Sequence, residues 1–327
     1  MKHRAPFVTA IMTTLAAALP IAASAHVKWF AEKEVAIEPF DVTESAVVVW
    51  IFIIAAIVLC GFFLDKRFTP KGRNRKRWSA SISRLFQAMV GLWLIISSID
   101  NSIIAPVFPV SDIVTQVIRG GLLVAGILFI TGFFVRIASL LLMAGYIATA
   151  WQFGILELLE HAHVFGIGLA IFIQDGGTKN PLHRFAGYSV TAIRVTAGIS
   201  FITLALSEKL FHPGLSAAFL TEHNWNFMEL YGFDWFSDRL FILSAGMTEL
   251  LLGTLLFTGI LVRPTLVAIA VVFGITATIL GPHEVLGHLP IVASAIVLFV
   301  YNGGRASATQ LFGKKRASRS NSYSEEE

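Results

Sequence analysis

Charged residues are scarce in this chain of 327 residues, of which 55% are hydrophobic and only 14% are Asp, Glu, Lys or Arg. Soluble domains usually carry about 25% charged residues, so the chain has too little polar surface to face water on all sides. Several apolar runs approach the roughly 20 residues that cross a bilayer as a helix. These features indicate an all-α, polytopic membrane protein. They exclude a soluble enzyme, a disordered protein and a strand-built outer-membrane barrel.

Cysteine is nearly absent, since Cys60 is the only one. An intrachain disulfide and CxxC dithiol chemistry both need a second cysteine, so both are excluded. The sequence also lacks a P-loop, a GxGxxG after a strand, a GxSxG elbow and an EF-hand loop. The side chains alone therefore offer no dithiol for a redox reaction, and such a reaction would need an external redox cofactor.

The first 25 residues look like a secretory signal peptide. Lys2 and Arg4 precede an apolar stretch, and Ala23-Ser24-Ala25 fits the small-residue cleavage site. Cleavage there would leave His26 as the mature N-terminus, and an uncleaved anchor is the alternative. A terminal histidine can chelate copper through its amine and its ring, so His26 is the predicted metal ligand.

The next segments set the expected topology. Residues 26–44 are polar, 45–64 form an apolar run long enough for the first transmembrane helix, and 65–83 form a basic loop. Short loops rich in Lys and Arg stay in the cytoplasm. We therefore expect a bacterial-type cytoplasmic (inner) membrane protein with a periplasmic mature N-terminus and a disordered cytoplasmic tail at 305–327. Eight further spans bring the predicted total to about nine: 84–104, 114–134, 137–154, 158–174, 190–211, 240–261, 264–280 and 285–301.

An internal repeat appears when the sequence is shifted by 127 positions. TGFFVR (131–136) then falls on TGILVR (258–263), Glu157 on Glu284 and His161 on His288. The two units cover 84–177 and 190–304 and hold four spans each. An even number of spans keeps both units in the same orientation, so the sequence predicts two parallel four-helix repeats plus one N-terminal anchor helix.

The second unit resembles the DoxX family of small four-helix membrane proteins. The resemblance rests on five motifs in the order and spacing of that family: Arg194-x3-Gly198, Ser207-Glu208-Lys209-Leu210, Glu249-Leu-Leu-Leu-Gly253, Gly259-x3-Arg263 and Gly303-Gly304-Arg305. It implies a membrane-bound partner of oxidoreductase systems, and relatives such as DoxD are associated with thiosulfate oxidation coupled to quinone. Upstream the offset is 110, which places Arg84 on Arg194. The first unit departs from the pattern, with Ala88 opposite Gly198 at this offset and Leu122 opposite Glu249 at the shift of 127.

Glu249 and Lys209 are the predicted catalytic residues. Glu249 lies about nine residues from the outer end of its predicted span, which places it near the middle of the bilayer at 1.5 Å per residue. A carboxylate there is costly unless it is neutral or paired, and it is a functional candidate by default. Lys209 is the predicted partner. The alternatives are a carboxyl that only fixes helix packing and a lysine that snorkels to the interface.

The repeated pairs Glu157/His161 and Glu284/His288 are predicted to bind a cofactor. In each pair the residues are four apart and share one face of a helix. The four side chains would form one ligand set only if they converge between the units. Alternatively each glutamate stabilises the first turn of its helix, and Gly281-Pro282 does predict a helix start.

Three functions remain open from the sequence. The preferred one is membrane redox support, in which a quinone or a periplasmic redox partner meets the second unit. The second is periplasmic capture or transport of a metal such as copper, and the third is a non-catalytic assembly scaffold. The lipid bilayer is the one certain partner, whereas nucleic acid is excluded because orientation explains the basic loop. The sequence leaves the oligomeric state open.

Overall fold

A computed structural model of the chain describes residues 35–68, 78–105, 108–175, 181–280 and 282–311. The predicted signal peptide, His26 and most of the predicted tail lie outside these residues. Within them the chain is helical and has no β-strand, only an isolated bridge between Ser102 and Pro109. The all-α prediction is therefore confirmed.

The helices follow one another with short connections. The α-helices are α1 (Ser45–Phe68), α2 (Ala80–Ile99), α3 (Ile113–Thr131), α4 (Val135–Phe153), α5 (Ile155–Glu160), α6 (Ala162–Gln174), α7 (Ser189–Leu204), α8 (Pro213–His223), α9 (Phe227–Leu230), α10 (Asp238–Thr258), α11 (Val262–Leu280), α12 (Pro282–Gly287) and α13 (Leu289–Tyr301). A 3₁₀-helix at Pro181–Tyr188 precedes α7, and a π-helical turn at Ala205–Leu210 follows it.

Six helical segments are long and apolar enough to cross a membrane. They are Ser45–Lys66, Ala80–Ile99, Ile113–Thr131, Val135–Phe153, Arg184–Leu210 and Asp238–Thr258. Three shorter apolar segments lie at Ala162–Gln174, Val262–Ala277 and Leu289–Tyr301. The chain is thus compatible with a multi-pass membrane protein, while the count of nine spans stays a prediction.

The packing joins the two halves of the chain into one core. In the first half α2 packs on α3, α3 on α4, and α4 on α6; in the second half α7 packs on α10 and α13. The halves meet along α6 and α7 and again along α2 and α13, whereas α1 packs on α10. One cluster of buried apolar side chains runs through both halves and includes Phe86, Leu122, Ile171, Ile193 and Leu256.

Helix bounds recur at the interval of the sequence repeat. Shifting α4, α5 and α6 by 127 residues gives the bounds of α11, α12 and α13. The turns recur as well: Gly132 and Gly259 end α3 and α10 with φ of 77° and 73°, and Phe134 and Leu261 both have φ of 50°. Glycine suits this left-handed position at a helix end because it has no Cβ.

Each of these helix ends is held by an arginine from the first helix of its half. Arg84 donates to the Ile130 carbonyl at 3.1 Å. The matching Arg194 donates to the carbonyls of Leu256 and Phe257 at 2.7 and 2.5 Å. A cation at the C-terminus of a helix satisfies free carbonyls and complements the helix dipole. The same contact between an arginine and a helix end therefore occurs in both halves of the chain.

Two of the predicted spans are interrupted. The segment 158–174 consists of α5 and α6, which meet at His161, and 285–301 consists of α12 and α13, which meet at His288. Both histidines leave the helical conformation, with ψ of 19° and 6°. No glycine or proline marks the first break, whereas Gly287 and Pro290 flank the second, so only the second could have been predicted from the sequence. The predicted helix start at Pro282 is confirmed.

Candidate functional site

A π-helical turn lies at the centre of the candidate site. α7 passes without a break into Ala205–Leu210, and the Phe211 N–H donates to the Leu206 carbonyl five residues earlier at 2.8 Å. Such turns are rare and occur frequently at functional sites. This one contains Ser207, Glu208 and Lys209, and all three side chains are buried.

Lys209 and Glu249 form a buried ion pair. The Lys209 Nζ lies 2.7 Å from the Glu249 Oε2, and only 2% and 11% of the two side chains are exposed. The structure therefore brings the two predicted catalytic residues together, while their catalytic role stays a prediction. An isolated charge at this depth would cost several kcal/mol, and the pair together with its polar neighbours offsets that cost.

Glycines allow α10 to approach α7 and the π turn closely. A Cβ on Gly246 would lie 3.0 Å from the Lys209 Cβ, and one on Gly253 would lie 2.9 Å from the Ile202 backbone nitrogen. On the opposite helix, a Cβ on Gly198 would lie 2.6 Å from the Phe257 nitrogen. Real Cβ contacts are rarely so short, so these positions set the distance at which Glu249 meets Lys209.

Two serines connect α7 and its π turn to polar groups of the first half. The Ser207 hydroxyl donates to the Glu160 carboxylate at 2.5 Å. The Ser200 hydroxyl accepts from the His163 backbone N–H at 3.0 Å and lies 3.1 Å from its ring Nδ1. The start of α6 and the end of α7 are thereby joined by hydrogen bonds as well as by apolar packing.

The polar cavity is a small space beside the ion pair. Its polar lining comes from His163, Ser200, Glu208, Lys209, Glu249 and His288. It measures about 20 Å³, which is enough for one ordered water. The Phe273 ring covers His288, with ring centroids 4.6 Å apart.

The buried ionisable groups around this cavity are unbalanced in charge. Three glutamates and one lysine are buried there, Glu160, Glu208, Glu249 and Lys209. Glu208 and Glu160 lie close enough to Glu249 to act on it electrostatically. Fully ionised, these groups would carry two more negative charges than positive ones, and a net charge in an apolar interior is costly. Such an excess favours the uptake of a proton or a cation at this place.

The apolar groove adjoins the polar cavity, sharing Phe201, Glu249 and Phe273 with it, and is lined by residues of α7, α10 and α11. It is lined by Phe201, Leu252, Ile269 and Phe273, with Thr248 and Glu249 as its polar groups. Thr248 is buried, and its hydroxyl has no hydrogen-bond partner within the described structure. Buried hydroxyls are nearly always bonded, so this one requires an explanation such as a ligand.

α11 forms the loose wall of the apolar groove. It packs less closely on α10 and α13 than the equivalent α4 packs on α3 and α6. The groove therefore occurs in the half of the chain that carries Glu249, whereas in the other half Leu122 occupies the equivalent position and is fully buried.

The predicted cofactor ligands fall in two places. Glu157 lies on α5 and His161 directly follows its last residue, Glu160. The ligand atoms of these three residues lie close together. His288 lies instead at the polar cavity with Lys209 and Glu249. The side chain of Glu284 is outside the described part of the chain, as is His26. The proposed set of four ligands therefore stays a prediction.

Glu160 and Thr248 were missed in the sequence, and His163 was not assigned to a site. Glu160 and His163 follow Glu157 and His161, so that four ligand-type residues occur within seven positions of an apolar segment. That density was the available signal. Thr248 gave none, because a threonine beside a transmembrane glutamate is unremarkable until its neighbours are known.

The comparisons with known proteins give no further guide to the site. No protein-family model, no curated protein and no solved structure matches the chain. Its assignment therefore rests on sequence motifs and on geometry.

Proposed function

We propose that the protein is a DoxX-like inner-membrane subunit that binds a quinone headgroup in the apolar groove and exchanges protons with it through Glu249. The observation that carries this proposal is the pairing of Thr248 and Glu249 in a groove with apolar and aromatic walls. A quinone presents a flat apolar ring with two carbonyl oxygens. The Thr248 hydroxyl can donate to one such oxygen, and the Phe201 and Phe273 rings can contact the ring face.

The buried ion pair supports the second part of the proposal. Reduction of a quinone consumes two electrons and two protons. The electrons come from a separate redox partner, because this chain has no dithiol. The protons can pass through Glu249, which lines both the groove and the polar cavity, where Lys209, Glu208 and two histidines lie. Such buried carboxylates and imidazoles are the usual groups of proton relays in membranes.

Entry of the ring requires α11 to move. The space at the groove is about 20 Å³, which is smaller than a quinone ring. The looser packing of α11 lowers the cost of that movement, since fewer apolar contacts must be broken. A quinone could then enter sideways from the hydrocarbon layer without crossing water.

The wider architecture belongs to the same proposal. We infer nine spans, in which α1 is an anchor and two parallel four-helix units follow it. The recurrence of helix bounds and of the Arg84 and Arg194 contacts supports the repeat. With the basic loop in the cytoplasm, the starts of α6 and α13 face the periplasmic half of the membrane, where an external electron donor would dock.

Quinone titration in lipid nanodiscs tests the proposal. A short-chain ubiquinone should quench the intrinsic tryptophan fluorescence of the purified protein in a saturable way. Thr248→Val should weaken binding about tenfold or more, as expected for loss of a hydrogen bond to a buried oxygen. Glu249→Gln keeps hydrogen-bonding groups at this position, so it should leave the affinity nearly unchanged and abolish proton exchange with the bound quinone. Thr258→Val is the matched control on the same helix, because the Thr258 hydroxyl bonds to the Thr254 carbonyl at 2.7 Å, away from the groove.

The other outcomes separate the remaining functions. Unchanged affinity in Thr248→Val would refute the site. Stoichiometric copper without quinone binding would favour the periplasmic metal function through His26. Neither ligand bound would favour the assembly scaffold.

A further inference from the structure

We propose that Glu157, Glu160 and His161 bind one divalent first-row transition-metal ion at the joint between α5 and α6. One ligand atom from each of these residues lies within 4.8 Å of the other two. Two ligand atoms held at about 2.1 Å from a shared ion are about 3 to 4 Å apart. Side-chain adjustments of about 1 Å would therefore complete the coordination.

The local sequence explains why the three side chains meet. They occupy positions i, i+3 and i+4, which share one face of a helix. α5 ends at Glu160, and the His161 N–H still donates to the Glu157 carbonyl at 3.2 Å. The end of α5 therefore places the His161 imidazole beside the two carboxylates, and no loop is needed to bring them together.

The His161 ring is oriented as a metal ligand would be. Its Nδ1 lies 3.1 Å from the Glu157 backbone carbonyl, and the Phe108 ring packs against it with centroids 4.9 Å apart. Metal-bound histidines usually donate the other ring N–H to such a carbonyl, which fixes the tautomer. With Nδ1 as the donor, Nε2 is the nitrogen that binds the ion.

Charge and burial favour a divalent ion. Glu160 is fully buried and His161 is 3% exposed, while Glu157 is half-buried. Two carboxylates balance the +2 charge of a bound ion, and that ion would reduce the excess of negative charge around the polar cavity. Since a carboxylate has two oxygens, Glu160 can bind the ion and still accept from Ser207.

The ligand types narrow the choice of metal. One imidazole and two carboxylates suit zinc, cobalt, manganese or ferrous iron, whereas Cu(I) prefers thiolates and thioethers. Three protein ligands also leave a coordination position for water or for a small molecule from outside.

The second half of the chain lacks one of the three proposed metal ligands. At the shift of 127 residues, Glu157 matches Glu284 and His161 matches His288, but Glu160 matches Gly287. The second half therefore lacks the central carboxylate and cannot form the same site. Conversely, the first half has Leu122 where the second has Glu249. The two halves would serve different chemistry, the metal in one and the quinone in the other.

Cobalt binding by the full chain tests the metal site. The protein carries His26→Ala, to remove the terminal chelator, and a purification tag without histidine. After treatment with EDTA, it should bind one equivalent of Co²⁺ with visible d–d bands that Zn²⁺ abolishes. Glu160→Gln and His161→Gln should weaken binding at least 100-fold, because even the outer partners of metal ligands are worth about 10- to 100-fold.

Controls separate ligand loss from misfolding. Glu222→Gln and His223→Gln alter an exposed carboxylate and an exposed imidazole at the end of α8 and should bind Co²⁺ like the parent. Each variant is compared by size-exclusion chromatography and by its metal-free Tm, and Zn²⁺ should raise the Tm only where the three ligands remain. If Glu160→Gln fails to fold, the half-buried Glu157→Gln replaces it. Absence of stoichiometric Co²⁺, or undiminished binding in Glu157→Gln and His161→Gln, would overturn the proposal.

Discussion

The Lys209 ammonium contacts the Glu249 carboxylate at 2.7 Å, across the interface of a π turn and the middle of α10. Both side chains are buried, so each charge lies where few groups other than its partner can offset the loss of hydration.

Breaking this ion pair from one side should be costly. Lys209→Met leaves a buried carboxylate without its partner, and we expect a loss of about 3–5 kcal/mol in the free energy of unfolding. The double variant Lys209→Met, Glu249→Leu should recover most of that loss, because replacement of a buried pair by apolar residues is often neutral. Denaturation in mixed micelles measures both. Equal losses in the single and double variants would show that the pair does not act as a unit.

The close contact between α7 and α10 should be sensitive to a single methyl group. Gly198→Ala places a Cβ 2.6 Å from the Phe257 backbone nitrogen, and we expect a loss of about 1–3 kcal/mol from overpacking. Gly274→Ala is the control, because no atom lies within 4 Å of its Cβ position. That change should be neutral or should stabilise α11 by up to about 1 kcal/mol. A tolerated Gly198→Ala would mean that the helices separate easily.

The two arginines at matching helix ends should differ in importance. Arg194 is 1% exposed and also donates to the Gly303 carbonyl at 3.0 Å, so Arg194→Met should cost about 2–4 kcal/mol. Arg84 is exposed, and Arg84→Met should cost about 0.5–1 kcal/mol. Thermal unfolding of the two variants side by side measures the difference. The reverse order would contradict the role given to burial.

Asp112 should give the first turn of α3 a pH-dependent cap. The Thr115 backbone N–H donates to its carboxylate at 2.8 Å and lowers its pKa. A lowered pKa contributes stability above the ordinary carboxyl range, and that contribution is lost as the pH falls through the folded value.

Asp112→Asn distinguishes the contribution of the carboxylate charge from that of the capping hydrogen bond. Asparagine caps about as well as aspartate, so the variant keeps the hydrogen bond and loses the titration. The difference in stability between parent and variant should shrink as the pH falls below about 4, and Asp112→Ala, which removes the cap, should be less stable than the asparagine variant at every pH. A constant difference between parent and asparagine variant from pH 7 to 3 would rule out a contribution from the carboxylate charge.

Sequence reasoning succeeded where one local feature decided the outcome. Apolar run length predicted membrane-spanning helices, and Pro282 predicted a helix start. Glu249 and Lys209 were paired because a buried charge requires a partner. These inferences needed only the chemistry of single segments.

Sequence reasoning failed where the structure depends on contacts between segments that are far apart in the chain. The π turn at Ala205–Leu210 has no proline or glycine, and its wide hydrogen bonding depends on how the end of α7 packs. The Glu160 carboxylate accepts a hydrogen bond from Ser207, which is 47 residues away. Thr248 is notable only because its neighbours leave its hydroxyl unbonded. None of these contacts follows from periodicity.

The π turn also sets the direction in which the side chains after it point around the helix axis. It contains one more residue than an α-helical turn, so it is equivalent to a one-residue insertion in the helix. Deletion of Ala205 would let the α-helix run on and would rotate the following side chains by about 100°. Lys209 would then leave Glu249, although every residue of the site would still be present. A one-residue change in length, rather than a change in chemistry, would thus be enough to disconnect the two halves of the site.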